Sequence, residues 1–271
     1  MKLLPLYLLL FCNVASLYSQ SVDFGYTDFF WQNHNIQDLS NKKASEKILF
    51  KYIYGLSTMS NSSKSQEIHF FTNQTNQTDK TLLFYLEIFE KVLFDPNSPF
   101  RNEGLYELIL EDYKRNSILS DLQKVRIKYH LTIIEKNKIG KLASDFNTKI
   151  DGNIKNLYSI QAPYILVVFT NSECPSCIEN YKELGKNEVI RNTTDSGKLK
   201  VLMVDNSESP TLTKGDQWIW AKDIDDVIDS NEIYYTPALP SIYLMDKNKR
   251  VILKDVPLEA VTKYFLNQGA L

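Results

Sequence analysis

The sequence predicts an α/β protein in two parts: an all-α N-terminal half, then a C-terminal half in which helices flank a mixed sheet. Three observations carry this. Residues 21–140 place apolar side chains at helical spacing. From Gly140 onward, continuous β-branched runs alternate with helical stretches. The composition is that of a globular chain: hydrophobic residues are 43%, charged residues 24%, and 9 Gly with 9 Pro leave little for a loop-rich or fibrous fold. At 271 residues the chain has room for two ordinary domains. Lys+Arg 31 against Asp+Glu 33 gives a net charge of −2, which removes nucleic-acid binding by bulk charge.

In chain order, residues 44–59 carry Ile48, Leu49, Tyr52, Ile53 and Leu56 on one helical stripe. Residues 60–78 are rich in Asn, Ser and Thr and read as a loop, with a short element at 68–71. Asp79 is read as the cap of a helix bearing Leu82, Leu86, Phe89 and Leu93, which the Pro96 and Pro99 segment stops. Residues 102–116 form a helix on Leu105, Ile109 and Tyr113. Ser120 and Gln123 have capping-box spacing and open a helix with Leu122, Val125, Tyr129 and Ile133 as its apolar stripe. These stripes are the expected core of a helical domain over residues 20–139. His130 is read as a surface or satisfied histidine.

The second half, residues 140–271, begins where the pattern changes. Residues 164–170 (YILVVFT) read as a central strand buried on both faces. A second strand covers 199–204. Residues 241–245 and 251–253 flank a polar turn and make an antiparallel hairpin. A last helix spans 258–267, with Pro257 at its start.

The chemistry sits directly after the first of these strands, at Cys174-Pro175-Ser176-Cys177. Strand, turn, CxxC and helix place Cys174 at a helix N-terminus, where unpaired N–H groups favour a thiolate. Pro175 suits the first turn because it has no N–H to satisfy. Cys177, three residues on, returns to the same side within reach of a disulfide. Cys174 is then the exposed nucleophile and Cys177 the resolving thiol. Zinc needs further ligands, and His34, His69 and His130 lack ligand spacing, so no metal is expected. No cofactor is expected beyond a redox-active Cys174–Cys177 disulfide.

The third cysteine, Cys12, falls in the N-terminal stretch MKLLPLYLLLFCNVASLYSQ. Lys2, a short apolar run and small residues at Ala15, Ser16 and Ser19 make a secretory signal over residues 1–19. The run is too short to span a bilayer as a helix. Phe11 stands before Cys12, where a lipoprotein signal places a small residue. The expected location is periplasmic or secreted, soluble after cleavage, with one dithiol and no spare thiol.

Residues 140–271 resemble the thioredoxin-like fold in its exported TlpA/ResA-type branch. The resemblance rests on 143–146 (ASDF) with Asp151-Gly152, on Phe169 before the CxxC, and on Ala238-Leu239-Pro240-Ser241. It implies a cis Pro240 lying against Cys174, and a Leu239 backbone that pairs with an extended substrate segment. It also implies an inserted element over 209–223, with Trp218 and Trp220. Residues 94–103 (FDPNSPFRNE) resemble a signature run of a helical domain of unknown function found ahead of such domains in Bacteroidota-type bacteria.

The chain departs from that family at two positions. Glu173 stands where Trp usually precedes the first cysteine, and Val168 where a buried acid is frequent. A carboxylate at 173 opposes a low Cys174 pKa, and Val168 removes a proton acceptor for Cys177. Both fit a slower or partner-specific enzyme, or one in which Glu173 moves the proton. The implied function is an exported thiol–disulfide oxidoreductase that reduces protein disulfides and draws electrons from an upstream dithiol donor. A second reading, from another class, is a binding or scaffold protein whose helical domain recognises a partner and whose thioredoxin-like half is weakly active or inactive.

Overall fold

The computed structural model describes residues 42–208, 217–231 and 233–269. The expected signal segment with Cys12, and residues 209–216 of the expected insertion, lie outside the described residues. The described residues fall into two compact units. One holds residues 42–92 with Arg115–Ile118; the other holds Leu93–Lys114 and the chain from Leu119 onward.

The first unit contains α1 (Lys42–Thr58), α2 (Asn61–Thr75) and most of α3 (Asp79–Leu93). Phe71 gathers its core: it stacks on Tyr52 at 5.3 Å and meets Tyr85 and Phe89 edge-on at 5.2 and 5.5 Å. Helix α2 corrects the loop expected over 60–78. Its sequence is poor in strong helix formers, but Ser60 caps it by accepting from the Ser63 N–H, and Ile68, Phe71, Thr72 and Thr75 are buried. Tertiary burial outweighs weak propensity here. The cap of α3 is Thr78, whose hydroxyl accepts from the Thr81 N–H, rather than Asp79.

The second unit includes α4 (Glu103–Arg115) up to Lys114, and α5 (Asp121–Glu135). The capping box at Ser120 and Gln123 forms as expected. Of the expected α5 stripe only Ile133 is buried: Leu122, Val125 and Tyr129 are exposed, while Ile127, His130, Leu131 and Ile134 are buried beside Ile133. Two stripes compete on this helix, and the one with the longer run of Ile and Leu wins.

The sheet has the order β2-β1-β5-β4-β3-β6-β7. Strands β1 (Asn147–Ile150) and β2 (Asn153–Asn156) form a hairpin through Asp151 and Gly152, which both take positive φ. Central β3 (Tyr164–Thr170) pairs parallel with β4 (Leu199–Asp205) and antiparallel with β6 (Ser241–Asp246). Strand β5 (Ile219–Asp223) runs parallel to β4 and antiparallel to β1, and β7 (Val251–Leu253) closes the far edge. Part of the expected insertion is thus a regular strand. Helices α6 (Pro175–Lys186), α7 (Glu188–Asp195), the short α8 (Val227–Ser230) and α9 (Leu258–Asn267) complete the unit. Strand β3 is buried on both faces, as its unbroken apolar run requires: Val167 and Phe169 face one core, Leu166 and Val168 the other.

Candidate functional site

The site forms where the parallel pair β3 and β4 ends, the crevice in which open α/β sheets bind ligands. Thr170 and Asp205 are opposite each other at the strand ends. Beyond them the chain turns. The Asn171 carbonyl accepts from the Cys174 N–H at 3.1 Å, and Asn171 Oδ1 accepts from the Glu173 N–H at 2.8 Å. Asn171 Nδ2 donates to Asn206 Oδ1 at 2.8 Å, and Asn206 Nδ2 donates to Asp229 at 3.0 Å. Ser172 donates to buried Asp205, which also accepts from the Ser207 N–H at 2.8 Å. Two side-chain clasps therefore tie the CxxC turn to the end of β4.

Cys174 is the N-cap of α6 and Pro175 its first residue. Both cysteines are free thiols; Cys174 is partly exposed and Cys177 is 1% exposed. Across from them, the Leu239–Pro240 peptide is cis. The Leu239 carbonyl accepts from Ser176 Oγ at 3.0 Å and lies 4.0 Å from Cys174 Sγ, and Ser176 Oγ is 3.0 Å from that sulfur.

The two thiols are electrostatically unequal. At Cys174 burial pushes the pKa up, but hydrogen bonds from Cys177 and Ser176, through side chain and backbone N–H, outweigh it and hold the thiol below its ordinary value. Those N–H groups belong to the first turn of α6, where a helix favours an anion. At Cys177 burial pushes the pKa up to about 11, and the hydrogen bond with Cys174 adds to it.

Of the residues singled out from sequence, the structure brings together Cys174, Ser176, Cys177 and Leu239. Pro175 and Glu173 are exposed beside them, and Pro240 follows the loop carbonyl. Val168 is fully buried in an apolar core with Leu166 and Leu184. Sequence reading missed Ser172, Asp205, Asn171 and Asn206. The signal available was their position: Asp205 ends β4, and Asn171, Ser172 and Asn206 lie one or two residues past the ends of the two parallel strands. Among the described residues, no group of three or more His, Cys, Asp or Glu is placed to hold a metal ion.

Comparison with solved structures bears on this geometry. A thioredoxin-like protein from Bacteroides caccae superposes with a TM-score of 0.81 at 28% identity, covering 88% of this chain and 89% of that one. Residues 25–137 match the family described as a domain of unknown function, DUF5106. The chain carries a DUF5106 domain ahead of a thioredoxin-like fold.

Shorter matches cover the thioredoxin-like half. The C-terminal domain of an uncharacterized protein from Bacteroides fragilis is 34% identical, with a TM-score of 0.45 over 48% of this chain and 99% of that one. The thioredoxin domain of a thiol-disulfide oxidoreductase from Bacteroides vulgatus is 19% identical, with a TM-score of 0.39 over 49% and 98%. No curated protein matches the sequence.

Proposed function

We propose that this thioredoxin-like protein is a thiol–disulfide oxidoreductase that reduces protein disulfides, with Cys174 as nucleophile and Cys177 as resolving thiol. The observation that carries the reading is the inequality of the pair: a partly exposed thiol of lowered pKa on a helix N-terminus, next to a buried thiol whose pKa is raised to about 11. A structural dithiol needs no such asymmetry, and a four-residue disulfide loop would add little stability.

The Cys174 thiolate attacks one sulfur of a substrate disulfide. That S–S bond breaks, a mixed disulfide forms on Cys174, and the other substrate sulfur leaves as a thiolate that takes a proton from water. Cys177 then loses its proton and attacks Cys174 Sγ. The mixed disulfide breaks, the Cys174–Cys177 disulfide forms, and the second substrate thiol is released. Substrate gains two electrons and the protein loses two, which an upstream dithiol donor must restore. The high Cys177 pKa keeps the resolving thiol protonated in the resting dithiol, so the first attack comes from Cys174. The leader-like residues 1–19 support export to the periplasm or beyond, as part of the same proposal.

The test is a redox titration of the full chain in glutathione or dithiothreitol buffers, together with assay on a peptide disulfide. Cys177→Ser should trap a mixed disulfide on Cys174, and Cys174→Ser should trap none. A wild-type chain that reduces no disulfide, with no trapped species in Cys177→Ser, would sink the reading.

A further inference from the structure

Residues 94–103, which precede and open α4, are packed against the loop that faces the dithiol, within the same compact unit. Two independent contacts make the junction. Phe94 stacks on Tyr235 at 5.7 Å with an interplanar angle of 5°, four residues before Leu239. Tyr235 is held from the other side, its carbonyl accepting from Tyr243 Oη at 3.1 Å. At the far end of the loop, Ser241 directly follows Pro240. Its hydroxyl donates to Asp255 Oδ1 at 2.6 Å, and the other oxygen of Asp255 is gripped by Arg101.

Arg101 and Asp255 belong to a charge cluster that is almost sealed from water. Arg101 also pairs with Glu103 at 2.7 Å, and Glu103 pairs with Lys254 at 2.8 Å. Lys254, whose side chain is 3% exposed, donates to the carbonyl of Ile134 at 2.9 Å in the last turn of α5. Asp255 holds a left-handed backbone conformation, φ 47°, that few side chains adopt readily. Burying two cations and two anions is a poor way to gain stability, because desolvation offsets most of the attraction. The cluster's members are nonetheless joined by directional contacts, and these run to the residue next to the loop.

We propose that residues 94–103 buttress the redox site: Arg101 through Asp255 and Ser241, and Phe94 through Tyr235, hold the Leu239–Pro240 loop in position opposite Cys174. This assigns part of the helical region a role, as positioning residues for substrate engagement. That role rests on the dithiol reading above, whereas the mechanical support does not.

The experiment uses the full chain and two variants. Arg101→Met breaks the ion pair. Ser241→Ala is the milder change, leaving Arg101 and Asp255 paired but uncoupling them from the loop. Hydrogen exchange of backbone amides in residues 234–242 should quicken by about tenfold in both, while the amides of β3 keep wild-type protection. For a peptide disulfide, KM should rise by about tenfold with kcat within about twofold of wild type. Arg101→Lys, which keeps the charge, should recover part of both. Unchanged loop exchange in Ser241→Ala overturns the buttress. Faster loop exchange with an unchanged KM reduces it to ordinary structural support and overturns the positioning role. A wild-type chain that cleaves no disulfide condemns the dithiol reading instead, and loop exchange still decides whether the buttress exists.

Discussion

Ser176 Oγ lies 3.0 Å from both Cys174 Sγ and the Leu239 carbonyl oxygen. A hydroxyl has one proton. While Cys174 is a thiol, Ser176 can give that proton to Leu239 and accept from the sulfur. Once the thiolate forms, the same proton is worth more on the sulfur, since hydrogen bonds to a charged acceptor are the stronger ones. Ser176 therefore couples the nucleophile to the loop across from it. Ser176→Ala should raise the Cys174 pKa, because the thiolate loses one charge-assisted hydrogen bond. The pH profile of thiolate absorbance checks this; a profile identical to wild type would remove Ser176 from the site's electrostatics.

The unequal thiols predict ordered alkylation. In reduced protein at neutral pH, iodoacetamide should modify Cys174 first and leave Cys177 almost untouched, as peptide mass spectrometry would read. Cys174 ionises below the ordinary thiol value and Cys177 near pH 11, so reactivity at Cys177 should appear only as pH climbs toward that value. The sign for stability follows. An unfolded chain releases the Cys177 proton near the ordinary thiol pKa and the folded chain only near 11, so this group's contribution to stability falls as pH rises between those points. Alkylation of both cysteines at one rate would contradict the asymmetry.

Asp205 accepts from Ser172 and from the Ser207 N–H while buried at the end of β4. Asp205→Ala leaves both donors without that acceptor, at a cost of about 1–3 kcal/mol. Chemical denaturation should show the loss. The same variant should slow the attack of Cys174 on a model disulfide, because the turn that carries it is released; an unaffected rate would make the clasp purely structural.

The N-terminus of helix α5 offers a test remote from the site. Ser120→Ala removes the capping box and should cost about 1 kcal/mol with the redox chemistry unchanged. Lys254→Met, at the other end of this helix, removes a buried ammonium from Glu103 and from the carbonyl of Ile134; the broken pair should cost about 3 kcal/mol. A smaller loss than in Ser120→Ala would show that desolvation had already cancelled the pair.

Much of this was legible in the sequence because local chemistry and tertiary demand agreed. The run from Tyr164 to Thr170 is apolar and β-branched throughout, which only a strand covered on both faces satisfies. Cys174 and Pro175 announce a helix start behind it. Helix α2 was not legible, because Ser, Asn and Thr dominate it and Phe71 alone does not reveal the aromatic ring that receives it. The stripe of α5 was misread because two faces of that helix are apolar and composition does not say which one finds a neighbour. The Arg101–Asp255–Ser241 relay was invisible because its first two members lie far apart in the chain and meet only after the fold has formed.

The clasp between Asn171 and Asn206 bears on how long the site lasts. Each of these residues precedes a serine, a small neighbour that leaves its own backbone nitrogen room to attack the side-chain amide. Loss of ammonia from Asn171 would put a carboxylate oxygen where Nδ2 now donates, facing Asn206 Oδ1, and a donor–acceptor contact would become two oxygens in opposition. Loss from Asn206 would do the same against Asp229, with two full negative charges. Three residues before the nucleophile, the hold on the turn thus depends on both side chains remaining amides.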